Sequence, residues 1–303
     1  MKRQVKKTVH KGICMLLAGI AVFTASFSLT ACVDQHPDST EGQSQADSVR
    51  LVATSSAAAQ ICDKLELDLV GVCRTSGTLP VRYKDVTQVG TAMSPDMEIL
   101  KSLSDYVLSP NSLRSDLQPK YASIQVKSLF LNLKSVSGMY ASIADLGEKF
   151  NRQQQAQAMV DEFNTFMQEY KNKNAGKEAP KVLILMGLPG SYIVATENSY
   201  VGSLVEMAGG QNVYAGTDEE FLSANTEDIK TKEPDVILRA SHAMPEQVQQ
   251  MFADEFEKND IWKHFAAVQN GRVYDLDSSL FGMSANFSYQ QALEALQPML
   301  YNS

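Results

Sequence analysis

Histidine is scarce in this chain of 303 residues, with four in all, His10, His36, His242 and His264. That is too few for a multi-histidine zinc or manganese cage, and neither C-x-x-C nor H-E-x-x-H occurs. The G-x-S-x-G turn of serine hydrolases, the P-loop and the dinucleotide glycine fingerprint are also missing, so an extracellular hydrolase on two α/β lobes would lack an assembled nucleophile and base. Positive charge is in deficit: 27 Lys and Arg stand against 35 Asp and Glu, a formal net charge of -8, which disfavours nucleic acid as a partner. Cysteine is limited to Cys14, Cys32, Cys62 and Cys73.

The first residues hold what the rest lacks. Lys2, Arg3, Lys6, Lys7 and Lys11 precede an apolar run from Ile13 to Phe27 and then Leu29-Thr30-Ala31-Cys32, with no acidic residue among them. This order of basic, apolar and small residues reads as an export signal. The run is shorter than the roughly 20 residues that span a bilayer, which weighs against an uncleaved anchor. Leu-Thr-Ala-Cys resembles a bacterial lipobox: cleavage before Cys32 frees a thiol for acylation, with palmitate for example, and holds the mature chain on the outer face of the cell membrane. Loss of residues 1–31 takes the formal charge from -8 to -13 and leaves 272 residues. Residues 32–48 contain almost nothing to bury and read as a flexible tether, with His36 solvated.

From Val49 onward short apolar runs alternate with helical stretches, the pattern of α/β structure with parallel strands. Residues 49–136 form a first lobe, with strands at Leu51-Val52-Ala53, Leu69 to Val72, Thr87-Gln88-Val89, Tyr106-Val107-Leu108 and Ile124 to Phe130. A proline-free stretch, 137–176, carries Ile143, Leu146, Phe150, Ala156, Met159, Phe163 and Met167 at helical spacing and reads as one long linking helix, or two joined near Asn151. Residues 177–303 repeat the alternation as a second lobe, with strands at Lys181 to Met186, Tyr192-Ile193-Val194, Asp235 to Leu238 and Arg272-Val273-Tyr274. The lobes echo one another: Glu98 lies nine residues before Val107, and Glu227 nine before Val236, each inside a short helical stretch. Cys62 and Cys73 read as two small buried thiols, with a disulfide as the alternative.

Ligands of open α/β sheets bind outside the carboxyl ends of strands. Three loops fall there. Thr54-Ser55-Ser56-Ala57 opens a helix that Ser56 can cap and whose amides can receive a carboxylate. Gly90 to Pro95 holds Met93, and Arg239 to Pro245 holds His242, whereas His264 reads as a packing residue. A methionine in such a chain is more often core than ligand, and a loop histidine is as often merely hydrogen-bonded. Together, however, one thioether and one imidazole on two cleft loops suit a six-coordinate iron porphyrin.

At these residues the chain resembles the class III substrate-binding lipoproteins of ABC importers. These are clam-shell receptors for cobalamin, siderophores and haem, and the likeness is greatest to the haem-binding lipoproteins of iron-regulated surface determinant systems. The resemblance runs from about Val49 to the C-terminus. It is carried by Thr78 to Val86, Lys181 to Thr196, Met207-Ala208-Gly209-Gly210-Gln211-Asn212-Val213, His242-Ala243-Met244-Pro245-Glu246, Asn259 to Phe265 and Phe281 to Asn286. It implies a monomeric, non-enzymatic receptor that carries haem b to the permease subunits of an importer, taking it from an upstream donor protein. A siderophore or cobalamin receptor is the alternative on the same scaffold. By the same resemblance Met93 and His242 are the axial ligands of the haem iron, Ser56, Ala57, Ser76 and Gly77 hold the propionates, and Glu98 and Glu227 dock to permease arginines. Gly77 stands where the resemblance leads one to expect a lysine, which removes one side-chain ion pair to a propionate.

Overall fold

The computed structural model describes residues 49–75 and 77–301. The export segment, Cys32, the tether through Ser48 and Ser76 lie outside them.

The central strands of the first sheet are largely apolar on both faces, the pattern expected when helices cover both sides of a parallel sheet, while its edge strands carry exposed polar residues. Its elements run β1 (Leu51–Ala53), α1 (Ser56–Lys64), β2 (Leu69–Val72), β3 (Thr87–Gln88), α2 (Met97–Leu103), β4 (Tyr106–Pro110), α3 (Arg114–Ser123) and β5 (Lys127–Leu131). The strand order is β3-β2-β1-β4-β5, with every pairing parallel, so all five carboxyl ends share one edge. The strand expected from Ile124 starts only at Lys127, because α3 ends in a turn with Gln125 at φ 60°.

Two helices follow, α4 (Val136–Lys149) and α5 (Gln153–Asn174), and the break between them falls at Asn151 with φ 56°. They are clamped by aromatic rings. Tyr140 of α4 stacks on Phe163 of α5 at 4.4 Å, and both meet Tyr289 of the last helix, α10 (Tyr289–Tyr301), edge-on at 6.0 and 5.8 Å. The Tyr170 hydroxyl donates to the Leu293 carbonyl at 2.8 Å. Ring pairs of this kind add about 0.5–1.5 kcal/mol each beyond the burial of their area, so the link between the lobes is stiff.

Between these helices and α10 run β6 (Lys181–Leu188), β7 (Ser191–Ala195), α6 (Tyr200–Met207), β8 (Gln211–Asn212), β9 (Phe221–Ser223), α7 (Thr226–Lys232), β10 (Val236–Ser241), α8 (Pro245–Lys258), α9 (Ala266–Gln269) and β11 (Val273–Asp275). The second sheet has the order β11-β10-β6-β7-β9, with β8 beside the start of β6. Here the parallel reading needs correction: β7 pairs antiparallel with both β6 and β9. Only Pro189 and Gly190 separate β6 from β7, enough for a hairpin and far short of the dozen or more residues of a parallel crossover. Cys62 and Cys73 are buried and unpaired. Burial pushes the Cys62 thiol up to about 12 and raises that of Cys73, so neither is a thiolate at neutral pH.

Candidate functional site

The carboxyl edge of the first sheet faces the second lobe. Residues 276–288 lead out of β11, and within them the Ala285 amide donates to the Leu133 carbonyl just past β5 at 2.8 Å. Lys134 pairs with Glu220 of the second lobe at 2.9 Å, and a gap of about 10 Å³ at the same place is lined by Asn111, Leu133, Met283 and Ser284.

The exit of β1 is fixed by a buried hydroxyl network. Thr54 donates to the Leu108 carbonyl at 3.1 Å and meets the Ser109 hydroxyl at 2.7 Å, which in turn meets the Tyr121 hydroxyl at 3.0 Å. Burial raises the Tyr121 pKa, so the phenol remains a neutral hydrogen-bonding group. The cap of α1 is Ser55, whose hydroxyl accepts the Ala58 amide at 3.1 Å, and not Ser56 as the sequence reading expected. This frees the Ser56 side chain. The amides of Ser56 and Ala57, in the first turn of α1, have no intrahelical acceptor. Gly77 lies alongside: a Cβ built on it would sit 3.4 Å from the Ser56 hydroxyl oxygen, and its own amide donates to the Thr75 hydroxyl at 3.0 Å.

The next loop is pinched shut at its base. Gly90 (φ +90°) forms a bridge with Pro95, the Asp96 amide donates to the Val89 carbonyl at 2.8 Å, and the Arg74 amide donates to the Gly90 carbonyl at 2.6 Å. Met93 is carried at the tip with 78 % of its surface exposed. A Cβ at Gly90 would lie 2.7 Å from the Ser94 carbonyl oxygen in a backbone region disfavoured for side chains. Gly90→Ala is therefore expected to cost about 1–3 kcal/mol and to loosen the loop. Urea unfolding with an unchanged midpoint would contradict this tight closure.

In the second lobe β10 ends at Ser241, and the His242 amide donates to the Gly187 carbonyl of β6 at 2.9 Å. Gly187 leaves room for Val248 and Phe252 of α8 to press on the sheet, which seats the loop between β10 and α8. Ala243 and Met244 both adopt positive φ, 61° and 44°, in the turn into Pro245. Such residues cost on the order of 1 kcal/mol or more each unless their surroundings enforce them, and function is a common reason for enforcement. His242 is exposed, and Met244 is 52 % exposed. Large exposed apolar side chains are few among the described residues, yet two of them are Met93 and Met244, one on each loop. His264 is exposed, contrary to its expected packing role; the buried residues of that segment are Trp262 and Phe265.

Glu98 and Glu227 occupy closely matching settings. Each is exposed at the second position of a seven-residue helix, α2 or α7. Asp96 accepts the amides of Glu98 and Ile99 at 3.0 and 3.1 Å, and Asn225 accepts those of Glu227 and Asp228 at 3.0 and 3.3 Å. Two residues beyond each glutamate comes a fully buried anchor, Leu100 or Ile229.

No group of three or more His, Cys, Asp or Glu among the described residues is placed to hold a bare metal ion. A cavity of about 680 Å³ lined by Asn132, Phe163, Met167, Glu197, Met207 and others includes neither Met93 nor His242, whose loops are open to solvent. Two exposed loops beyond strand ends, on lobes joined by paired helices, suit capture of a ligand between them. The chain belongs to the periplasmic binding protein family, whose model matches residues 51–280. It is 44% identical over 275 residues to the high-affinity heme uptake system protein IsdE of Staphylococcus aureus, an alignment spanning 90% of this chain and 93% of that protein. Among solved structures it is similar to an ABC transporter substrate-binding protein from Listeria monocytogenes, with a TM-score of 0.80 and 45% identity over 84% of this chain and 99% of the other. It is also similar to S. aureus IsdE complexed with heme, with a TM-score of 0.78 and 45% identity over 84% of this chain and 99% of the other.

Proposed function

We propose that this protein is a haem receptor that captures haem b between its lobes and hands it to the permease of an ABC importer for iron acquisition. The observation that carries the reading is the pair of exposed, backbone-fixed loops offering the Met93 thioether and the His242 imidazole, in a chain 44% identical to a heme uptake protein. Soft sulfur and imidazole nitrogen are suitable axial ligands for haem iron, and their presentation on loops of different lobes suits a planar ligand gripped on both faces. The open amides of Ser56 and Ala57, with Gly77 beside them, suit the propionates, and the resemblance adds Ser76 to them. Glu98 and Glu227 meet arginines of the permease. The receptor acts as a monomer, is loaded by an upstream haem donor, and stands on the outer face of the cell membrane through acylated Cys32.

Specificity is tested by thermal unfolding with haemin, a ferric siderophore or cobalamin. A ligand at 100 times its dissociation constant stabilises by about 2.7 kcal/mol, so haemin alone is expected to raise the melting temperature by several degrees. A shift with the siderophore or cobalamin, but none with haemin, would transfer the reading to that ligand. The anchor is tested separately: Cys32→Ser is expected to release the protein from the membrane fraction while leaving haem binding intact, and unchanged membrane retention would refute acylation at Cys32.

A further inference from the structure

The carboxylates of the proposed ligand need a full positive charge, and open amides at a helix start supply only about half of one. On the loops at the carboxyl edges of the two sheets, nearly every cation in the described residues is already engaged. Arg82 is held by Asp68 at 2.7 Å, and Lys84 lies 3.9 Å from Asp85. Arg114 bonds Asn111 at 2.8 Å and covers the Phe130 ring, and Lys134 pairs with Glu220 at 2.9 Å. Arg74 is the exception: it is exposed, and among the described residues its guanidinium has neither a hydrogen bond nor an ion pair.

Its place in the sheet is specific. β2 lies between β3 and β1, so Arg74, two residues past the end of β2, emerges between the loop of Met93 and the first turn of α1. Its amide is fastened to the Gly90 carbonyl at 2.6 Å, and the loop it begins folds back until Gly77 reaches Ser56. From these positions we infer that Arg74 is a ligand-binding residue whose guanidinium takes a propionate of the bound haem, supplying the side-chain charge that Gly77 does not. A planar guanidinium forks onto a carboxylate through two parallel N–H groups, so it fixes the in-plane orientation of the porphyrin as well as its charge balance. Arg74 thereby selects for ligands that carry a carboxylate edge.

This inference rests on the proposed function, and the test separates the two. Purified protein, Arg74→Ala and Arg74→Lys are loaded with haem or with haem dimethyl ester, whose propionates carry no charge, and release to apomyoglobin is timed. Arg74→Ala is expected to speed haem release about tenfold, from the loss of a charge-assisted hydrogen bond, with an unchanged Soret band. Release of the dimethyl ester should be unaffected, and Arg74→Lys should restore part of the retention. Equal effects of Arg74→Ala on both ligands, or none on either, would overturn the role of Arg74 while leaving haem binding in place. A wild-type protein that takes up no haem would remove both.

Discussion

His242→Ala is expected to weaken haem binding by at least about a hundredfold and to abolish the six-coordinate low-spin spectrum, because loss of a group merely supporting a metal ligand already costs about 10–100-fold. Met93→Ala is expected to be milder, about tenfold or less, with the main change in spin state and redox potential, since water can replace a thioether but is a poor substitute for imidazole. The structure narrows the competing sulfur donors. Met97 packs against the Leu100 cluster and Met283 against the main core, whereas Met244 is exposed and sits two residues from His242. Titration of each variant with haemin, followed in the visible spectrum, checks the order. Retention of the low-spin spectrum in Met93→Ala together with its loss in Met244→Ala or Met283→Ala would reassign the sulfur ligand.

The second large effect is expected in delivery. Reversing both Glu98 and Glu227 to arginine is expected to cut haem uptake by cells about tenfold or more while leaving haem binding to purified protein unchanged, because like charges brought together at an interface cost several kcal/mol. The equivalence of the two sites supports this: a side-chain cap at the matching position, Asp96 or Asn225, the same helix length and a buried aliphatic anchor, Leu100 or Ile229, hold each carboxylate at the surface of its lobe. Single reversals should fall between wild type and the double variant. Uptake unchanged in the double variant would refute docking, and impaired haem binding would place the two glutamates in the pocket instead.

What the sequence disclosed follows from how local each signal is. The strands at Leu51, Leu69, Tyr106, Lys181 and Val236 are dense apolar runs buried on both faces, and they were readable for that reason. The hairpin of β6 and β7 was legible in principle, from Pro189-Gly190 between two apolar runs, but the surrounding α/β pattern argued for a parallel strand. Helix α3 was overlooked because Pro119 and a polar composition mask its period, yet Leu117 and Tyr121 alone bury it. Helices α8 and α10 escaped notice although their buried residues recur at helical spacing, Val248 with Phe252, and Ala292 with Leu293 and Leu296. At the site the loops carrying Met93 and His242 were placed by strand order alone. Whether Ser55 or Ser56 caps α1 depends on where β1 ends, and a one-residue uncertainty there decides which hydroxyl is spent on the helix. That Arg74 has no partner among the described residues was invisible in sequence, since it depends on which acidic residues the fold assigns to Arg82, Lys84 and Lys134.

Haem capture by iron ligation from both lobes is tested most directly by the visible absorption spectrum of the purified protein titrated with haemin. One equivalent is expected to give a sharp Soret band with the features of six-coordinate low-spin iron, lost in the Met93→Ala, His242→Ala double variant. A spectrum that remains that of free haemin, or one that the double variant reproduces, would contradict it.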